Sequence, residues 1–363
     1  MKPLEIYIHI PFCIRKCKYC DFLSAPSTEE ERQNYVKSLC QHIRSYTELA
    51  EAYHVVSVFV GGGTPSLLTG TQMQAIFDAL FRTFHMDGNP EVSVEVNPGT
   101  VAKEKLKSYA KAGINRISIG LQSTDNQELR ILGRIHTYED FLYTYRLARE
   151  EGFRNINVDL MSAIPHQTNA GWVETLRKVA ELNPEHISAY SLMIEEGTPF
   201  YERYKAGKYA EELPDEETER AMYHSTAQVL REYGYYRYEI SNYAKPGYAC
   251  RHNLGYWNRT EYLGIGTGAA SLIDNRRWVE GETPKLLTVQ NQMEEFMFLG
   301  LRKMEGVLIK SFEQAFHCRL SQVYGKVLAD MKAKGLIEEA DGYIRLTKRG
   351  IDLSNYVMSE FLL

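Results

Sequence analysis

The chain has 363 residues, 44% of them hydrophobic and 25% charged, with a formal net charge of −5. That length suits one large domain plus a smaller one, and the balance is globular, which excludes extensive disorder. The small acidic excess gives no broad attraction to nucleic acid or anionic lipid, and no apolar stretch approaches the length of a membrane span.

The first segment, "MKPLEIYIHIPF", alternates like a strand. It lacks the long apolar stretch and small-residue cleavage site of a secretory signal, so a cytoplasmic protein is expected. Short β-rich runs then alternate with helical patterns. The runs are "EIYIHIP" from 5, "VVSVFVGGG" from 55, "EVSVEVNP" from 91, "NRISIGLQS" from 115, "NINVDLMSAIP" from 155 and "HISAYSLMIEEG" from 186. Ser27 with Glu30, and Thr124 with Gln127, match capping boxes at helix starts. Gly113 and Gly152 stand where a left-handed residue ends a helix. Strand, helix, strand, repeated, implies parallel pairing through crossover helices. Polar or glycine residues gather at the end of nearly every run: Cys13 to Cys20, Gly61 to Thr64, Glu95, Gln122 and Asp159. Such ends converge on one mouth in an α/β barrel, which favours a partial (β/α)6 barrel over a doubly wound sheet.

From about residue 226 the chain becomes aromatic and glycine-rich without a clear helical period, a stretch suited to strands and loops on the barrel's open side. From about 285 a compact pattern reads as helix, helix and a hairpin around Ala340-Asp341-Gly342, the outline of a winged helix. Three regions are therefore expected: the barrel over 1–225, a strand-and-loop segment over 226–284 and a winged-helix-like α+β domain over 285–363. A winged helix raises DNA binding, but residues 281–363 hold 11 Lys/Arg against 11 Asp/Glu. With no basic excess, nucleic acid is not an expected partner.

The six cysteines divide unevenly: Cys40, Cys250 and Cys318 are scattered, whereas Cys13, Cys17 and Cys20 lie within eight positions. The scattered three read as small buried hydrophobes. The chance expectation for a C-x-x-x-C-x-x-C match is on the order of one in several hundred, so the spacing itself is informative. Three thiolates can hold three irons of a cubane cluster and leave the fourth open. A structural zinc ion would need a fourth ligand, for which His9 is the nearest candidate. "GGGTPSLL" from Gly61, on its own, is compatible with a simple tight turn. His252, in "HNLGYW", supports two readings. It can be a hydrogen-bonded structural histidine, or a heme ligand with Tyr256 and Trp257 as flat apolar neighbours.

The three-cysteine spacing, with Tyr19 before the last thiol and the loop directly after the first strand, resembles the cluster loop of radical S-adenosylmethionine (SAM) proteins. "GGGTP", "EVNP", "GLQ", "GRIH" and "VDLMSAIPHQT" resemble the successive strand-end segments of the subgroup around oxygen-independent coproporphyrinogen oxidase. The resemblance implies a 4Fe–4S cluster on Cys13, Cys17 and Cys20. It implies a SAM site drawn from Tyr7, Tyr19, Gly62, Gly63, Thr64, Glu95, Gln122, Arg134 and Asp159. Two kinds of protein share these features: the oxidases and the HemW-type heme chaperones. The oxidases have a fourth cysteine two positions after the third, where this chain has Phe22. They also carry an N-terminal extension, whereas here Tyr7 already lies on the first strand. "HNLGYW" is similar to the H-N-x-x-Y-W motif of the HemW type. The resemblance therefore implies heme as ligand, His252 as the heme-ligand candidate, and heme-receiving respiratory proteins as partners, membrane-bound ones included. It implies no coproporphyrinogen oxidase activity and assigns no catalytic residue. A coproporphyrinogen oxidase and a winged-helix regulator are the competing classes.

Overall fold

The computed structural model describes all 363 residues. Six strands form the parallel centre: β1 (Lys2–Ile10), β2 (Tyr53–Gly62), β3 (His85–Val96), β4 (Arg116–Gln122), β5 (Ile156–Ser162) and β6 (His186–Ser191). They pair in chain order, all parallel. The intervening helices include Glu29–Ser45, Gly70–Thr83, Lys103–Lys111, Tyr138–Glu150 and Asn169–Glu181. This is the partial (β/α)6 barrel expected from the strand–helix alternation.

The segment after helix Glu216–Glu232 completes both edges. β7 (Tyr236–Arg237) and β8 (Asn242–Ala244) add antiparallel to β6. β9 (Tyr262–Ile265) adds parallel to β1, followed by β10 (Ala270–Ile273), β11 (Arg276–Val279) and β12 (Lys285–Leu286) as an antiparallel meander. One twelve-stranded sheet results, in the order β12-β11-β10-β9-β1-β2-β3-β4-β5-β6-β8-β7. β1 and β6 never meet. Helix Arg251–Trp257 lies in the stretch between β8 and β9, so the "HNLGYW" stretch is helical, not the loop expected from its composition.

Beyond the sheet, helices Ile309–Phe316 and Leu320–Ala333 precede the hairpin of β14 (Ile337–Ala340) and β15 (Tyr343–Leu346), with β13 (Val307–Leu308) pairing β15. Asp341 (φ 53°) and Gly342 (φ 80°) close the hairpin. Both lie in the left-handed region that a two-residue type I′ turn requires. This winged-helix-like unit has its own apolar core around Phe312, Tyr324, Met331 and Phe361.

Three local expectations shift. The first capping box is Thr28 with Glu31, one residue on from Ser27 and Glu30. Both pairs fit the spacing, but Ser27 Oγ takes Arg32 instead. At the second, Asp125 caps the helix, since a carboxylate accepts both Gln127 and Glu128 N–H, while Thr124 turns inward to Thr175. β3 starts at His85, earlier than its apolar run, because a register shift near Val55 carries the pairing past "DGNP".

The alternation of the central strands separates two surfaces. Ile6, Ile8, Ile10, Val58, Val60, Val94, Ile117, Ile119 and Val158 are fully buried in the main apolar core. The intervening residues carry polar groups that bond across the barrel interior: Ser57 to Glu5, Arg116 to Ser93, Ser118 to Asp159, His186 and Ser188 to Asn157. A packed barrel fills its interior with branched apolar side chains. A polar interior has given up that packing, and its groups must bond to each other or to a guest.

Candidate metal and cofactor centre

The three clustered cysteines lie on the loop leaving β1. The loop closes on itself where Cys13 N–H donates to Ala25 O (2.9 Å) and Ala25 N–H to Pro11 O (3.0 Å). Its far side is clamped by the "GRIH" segment. Lys18 N–H donates to Leu132 O (3.0 Å), and Arg15 Nη2 to Gly133 O (2.8 Å). Gly133 makes this close approach at φ 79°, where a Cβ would sit 3.1 Å from Lys18 Cγ. Tyr19 packs onto a small apolar cluster of Leu132, Met161, Ile164, Phe200 and Tyr204. An aromatic residue before the third cysteine therefore anchors the loop while the thiols stay partly exposed.

The glycine turn after β2 closes against this loop. Gly62 adopts φ 112°, and a Cβ there would fall 2.6 Å from the His9 ring. A Cβ on Gly63 would fall 2.6 Å from Phe12 O. Thr64 Oγ1 lies 3.4 Å from Cys13 Sγ and accepts from Asn97 Nδ2 at 2.9 Å. Gly62 N–H donates to Glu95 Oε2 at 3.1 Å. Arg134 reaches in from the "GRIH" segment. Its Nη2 donates to Asn97 Oδ1 (2.8 Å) and Gly120 O (2.7 Å), and its Nη1 lies 3.6 Å from Cys17 Sγ. Its Nε is buried with no partner. Cys17, Thr64, Asn97 and Arg134 thus line one cavity at the mouth, together with Ile14, Arg15, Ile135 and His136.

Other expected residues lie around or below it. Gln122 ends β4 at φ 74°, a strained conformation outside glycine. Asp159 is deeper, accepting from Ser118 Oγ and Asn157 Nδ2, both at 2.8 Å. Tyr7 is deeper still, bonded to His9 Nδ1 at 3.1 Å and stacked on Phe59. Burial pushes Glu95 up to about 8, with the Asp159 charge adding and the Gly62 N–H opposing. Burial also raises Asp159 and Cys20. A cation bound among the thiols would displace the proton from Cys20.

Sequence reasoning passed over Asn97, which ties the glycine turn to Arg134. It had a signal: Asn97 stands directly after β3, two positions past Glu95, at the strand end where the other site residues gather.

Two metal readings separate here. His9 is not a free zinc ligand, because its nitrogens are engaged by Tyr7 OH and Leu23 O (2.9 Å). No three His, Cys, Asp or Glu side chains converge on a single ion position. One zinc ion needs such convergence, whereas a cubane takes one thiolate per iron. The thiol set fits a cluster with three protein ligands. The unpartnered Arg134 Nε fits an anionic oxygen beside it.

His252 is elsewhere. It lies on helix Arg251–Trp257, which meets the strands below their C-terminal ends, at Glu5, Ser57 and Glu91; the residue is 2% exposed. Its Nδ1 bonds Ser57 Oγ at 2.9 Å, and its ring stacks on Phe59 and meets Tyr256 edge-on. Nε2 has no partner. Ser57 precedes Gly61 by four residues on β2, about 13 Å of strand, so His252 takes no part in the mouth. Burial, with Arg116 adding, lowers His252 to about 3.

A model of the radical SAM superfamily matches residues 7–179, and one of the HemN C-terminal domain matches 287–353. The chain is 34% identical to a heme chaperone HemW of Lactococcus lactis, over 100% of this chain and 98% of that protein. It is 36% identical to heme chaperone HemW of Escherichia coli, over 100% and 99%. Its fold matches the solved coproporphyrinogen III oxidase (HemN) from Escherichia coli with a TM-score of 0.85, at 23% identity, over 99% of this chain and 90% of that one.

Proposed function

The chain belongs to the heme chaperone HemW family of the radical SAM superfamily, and from that premise we propose that it binds a 4Fe–4S cluster, SAM and heme, and delivers heme to respiratory proteins. Cys13, Cys17 and Cys20 hold the cluster. The glycine turn at Gly62, Gly63 and Thr64, with Tyr7, Tyr19, Glu95, Gln122, Arg134 and Asp159, provides the SAM site. A bound cluster with one open iron supplies a chelation point and electrons to SAM. The residues themselves do the positioning: Thr64 and Asn97 hold the turn against Cys13 and Arg134, and Arg134 Nε offers a carboxylate an uncommitted donor. That orphan donor beside three partly exposed thiols is the observation that carries the cofactor reading.

The oxidase reading draws on the likeness to the solved HemN, which at 23% identity is a likeness of fold alone. Phe22, 59% exposed, stands where the resemblance gives the oxidases a fourth cysteine. His252 is the proposed heme ligand through its free Nε2. Because the ring is sealed, ligation requires helix Arg251–Trp257 to move off Ser57. No helix is long and apolar enough to cross a membrane, so delivery to a membrane-bound acceptor would proceed from its surface.

Anaerobic reconstitution with iron and sulfide, followed by hemin titration with and without SAM, tests this function. A Soret band that grows to saturation, with no protoporphyrinogen formed from coproporphyrinogen III, is expected. Stoichiometric or better turnover of coproporphyrinogen III would replace the chaperone with the oxidase.

A further inference from the structure

A second cavity, of about 320 Å3, opens where helix Arg251–Trp257 meets the C-terminal unit. Its walls are aromatic and polar. Trp257, Phe296 and Tyr343 contribute rings, and Arg259, Lys303 and Ser311 contribute donors; Glu305 is the one acid. Two donors in these walls are buried without partners, Trp257 Nε1 and Arg259 Nη2. Arg259 is otherwise held, with Nε on Glu295 at 3.0 Å, a carboxylate that also takes Arg277 at 2.6 Å. Arg302 covers the Trp257 ring at 4.3 Å, fixing its plane. Lys303 Nζ reaches Asn258 Oδ1, and burial lowers its affinity for the proton.

Unsatisfied buried N–H groups are costly and are ordinarily met by a partner. Two of them, on residues two apart, belong to walls that also hold the Lys303 ammonium and three aromatic rings. The complement is a planar molecule with carboxylates on one edge. The volume is at the low end for ligand pockets and receives that edge rather than a whole macrocycle. Resting on the heme reading above, we propose that this cavity binds the propionate edge of heme. The propionates are then held at the C-terminal end of the "HNLGYW" helix that also carries His252.

A competing basic groove exists. Tyr223, Arg231, Arg237 and Lys348 border about 490 Å3 between helix Glu216–Glu232 and the C-terminal unit. There Arg237 is already bonded to Tyr243 OH and stacked on Tyr223, and Asp352 sets an acid in the wall beside Arg231 and Lys348.

The test titrates full-length, cluster-reconstituted protein with hemin and with hemin dimethyl ester, whose propionates are blocked. Wild type should prefer hemin by about tenfold or more, the effect of one charge-assisted contact. Lys303→Met should weaken hemin about tenfold, leave the ester unchanged and so abolish the preference. Trp257→Phe, which keeps a ring but removes the Nε1 donor, should weaken hemin several-fold. Lys348→Met should behave as wild type, and cluster iron should be unchanged in all three. Wild-type hemin affinity in both Lys303→Met and Trp257→Phe overturns the site. Loss confined to Lys348→Met moves the site to the other groove. Failure of wild type to bind either compound overturns the heme reading itself, and this inference with it.

Discussion

The two ends of the barrel are built from the same alternation and treat their polar groups oppositely. At the mouth the backbone is bent into left-handed conformations at Gly62, Gln122 and Gly133. Ile14, Phe22, Leu23 and Ile135 stand exposed around it, and the Arg134 guanidinium keeps a free donor. At the floor the polar groups satisfy each other. Glu91 accepts from Cys250 Sγ (3.3 Å) and from the N–H groups of Arg251 and His252 (both 3.2 Å), which seats the start of helix Arg251–Trp257. Ser57 bridges Glu5 and His252. Three atoms are left over there, Glu5 Oε2, His252 Nε2 and Arg116 Nε, all sealed from solvent. The mouth is arranged around a guest; the floor is arranged around the "HNLGYW" helix.

The largest effect that tests this contrast is at the mouth. Cys17→Ala should abolish cluster iron after reconstitution, read as iron and sulfide content and the broad visible absorption of thiolate-bound clusters. Cys250→Ala removes a thiol of the floor. It should keep the full complement of iron and lose about 1 to 3 kcal/mol of stability, because Glu91 loses a donor in a dry setting. Full iron in Cys17→Ala, or loss of iron in Cys250→Ala, would erase the distinction between the two ends.

Much of the mouth was legible in the sequence because its chemistry is local. Cysteine spacing, a glycine run and strand-end carboxylates each sit within a few residues, and strand polarity brings them together. The floor was hidden because its contacts join distant segments. Nothing near His252 says that Ser57 and Glu91 will meet it. Its helix is only seven residues, and Gly255 inside it reads as a loop signal. The strand order was half legible. The six parallel units follow from alternation, but that β9 would pair parallel to β1, after more than two hundred intervening residues, has no local signature. The displaced capping boxes show the same limit on a small scale, since neighbouring polar residues leave the register undecided until side-chain bonds such as Arg32 to Ser27 and Thr124 to Thr175 choose it.

The floor gives the next largest effect. A Cβ on Gly255 would lie 2.0 Å from Glu5 Oε1, so Gly255→Ala levers the helix away from β1. A loss of about 3 kcal/mol or more is expected, at the upper end for overpacking, because a buried carboxyl rather than a flexible tip is struck. A denaturant melt would measure it, and retained SAM affinity would place the damage at the floor. Gly62→Ala is the mirror experiment. It should cost less stability, about 1 to 3 kcal/mol of backbone strain, and more SAM affinity. Equal loss of SAM binding in the two variants would mean that the ends are mechanically one unit.

His252→Ala should cost about 2 kcal/mol, through the lost Ser57 bond and the space left beneath Phe59. If His252 ligates heme, the Soret maximum also shifts and heme retention weakens, with cluster iron unchanged. His224→Ala is the control, since that ring pairs with Asp352 at 3.2 Å and touches neither Ser57 nor Phe59. A stability loss with an unaltered heme spectrum would make His252 a floor residue only.

The smallest effect is one of pH, and it reports whether the floor is dry. Burial pushes Glu5 up to about 9 from an ordinary 4.5, with Ser57 opposing and Glu91 adding. Between those values the folded chain holds a proton that the unfolded chain has released, so stability falls as pH rises through this window. His252, lowered to about 3 from 6.5, has the opposite sign: the unfolded chain binds the extra proton, and stability rises with pH until about 6.5. The terms oppose each other up to about pH 6.5, and above it the Glu5 term acts alone at the floor. Glu5→Gln keeps a hydrogen-bonding partner for Ser57 and cannot ionise. Between pH 6.5 and 9 it should flatten the decline of the melting temperature, by about 2 °C at pH 8.5. Some decline should persist, because Glu95 at the mouth, pushed up to about 8, carries the same sign. Glu95→Gln should also flatten the slope but lose SAM affinity, which Glu5→Gln should keep. A wild-type slope in Glu5→Gln would mean that Glu5 is ionised in the folded protein, and that water reaches the floor past helix Arg251–Trp257.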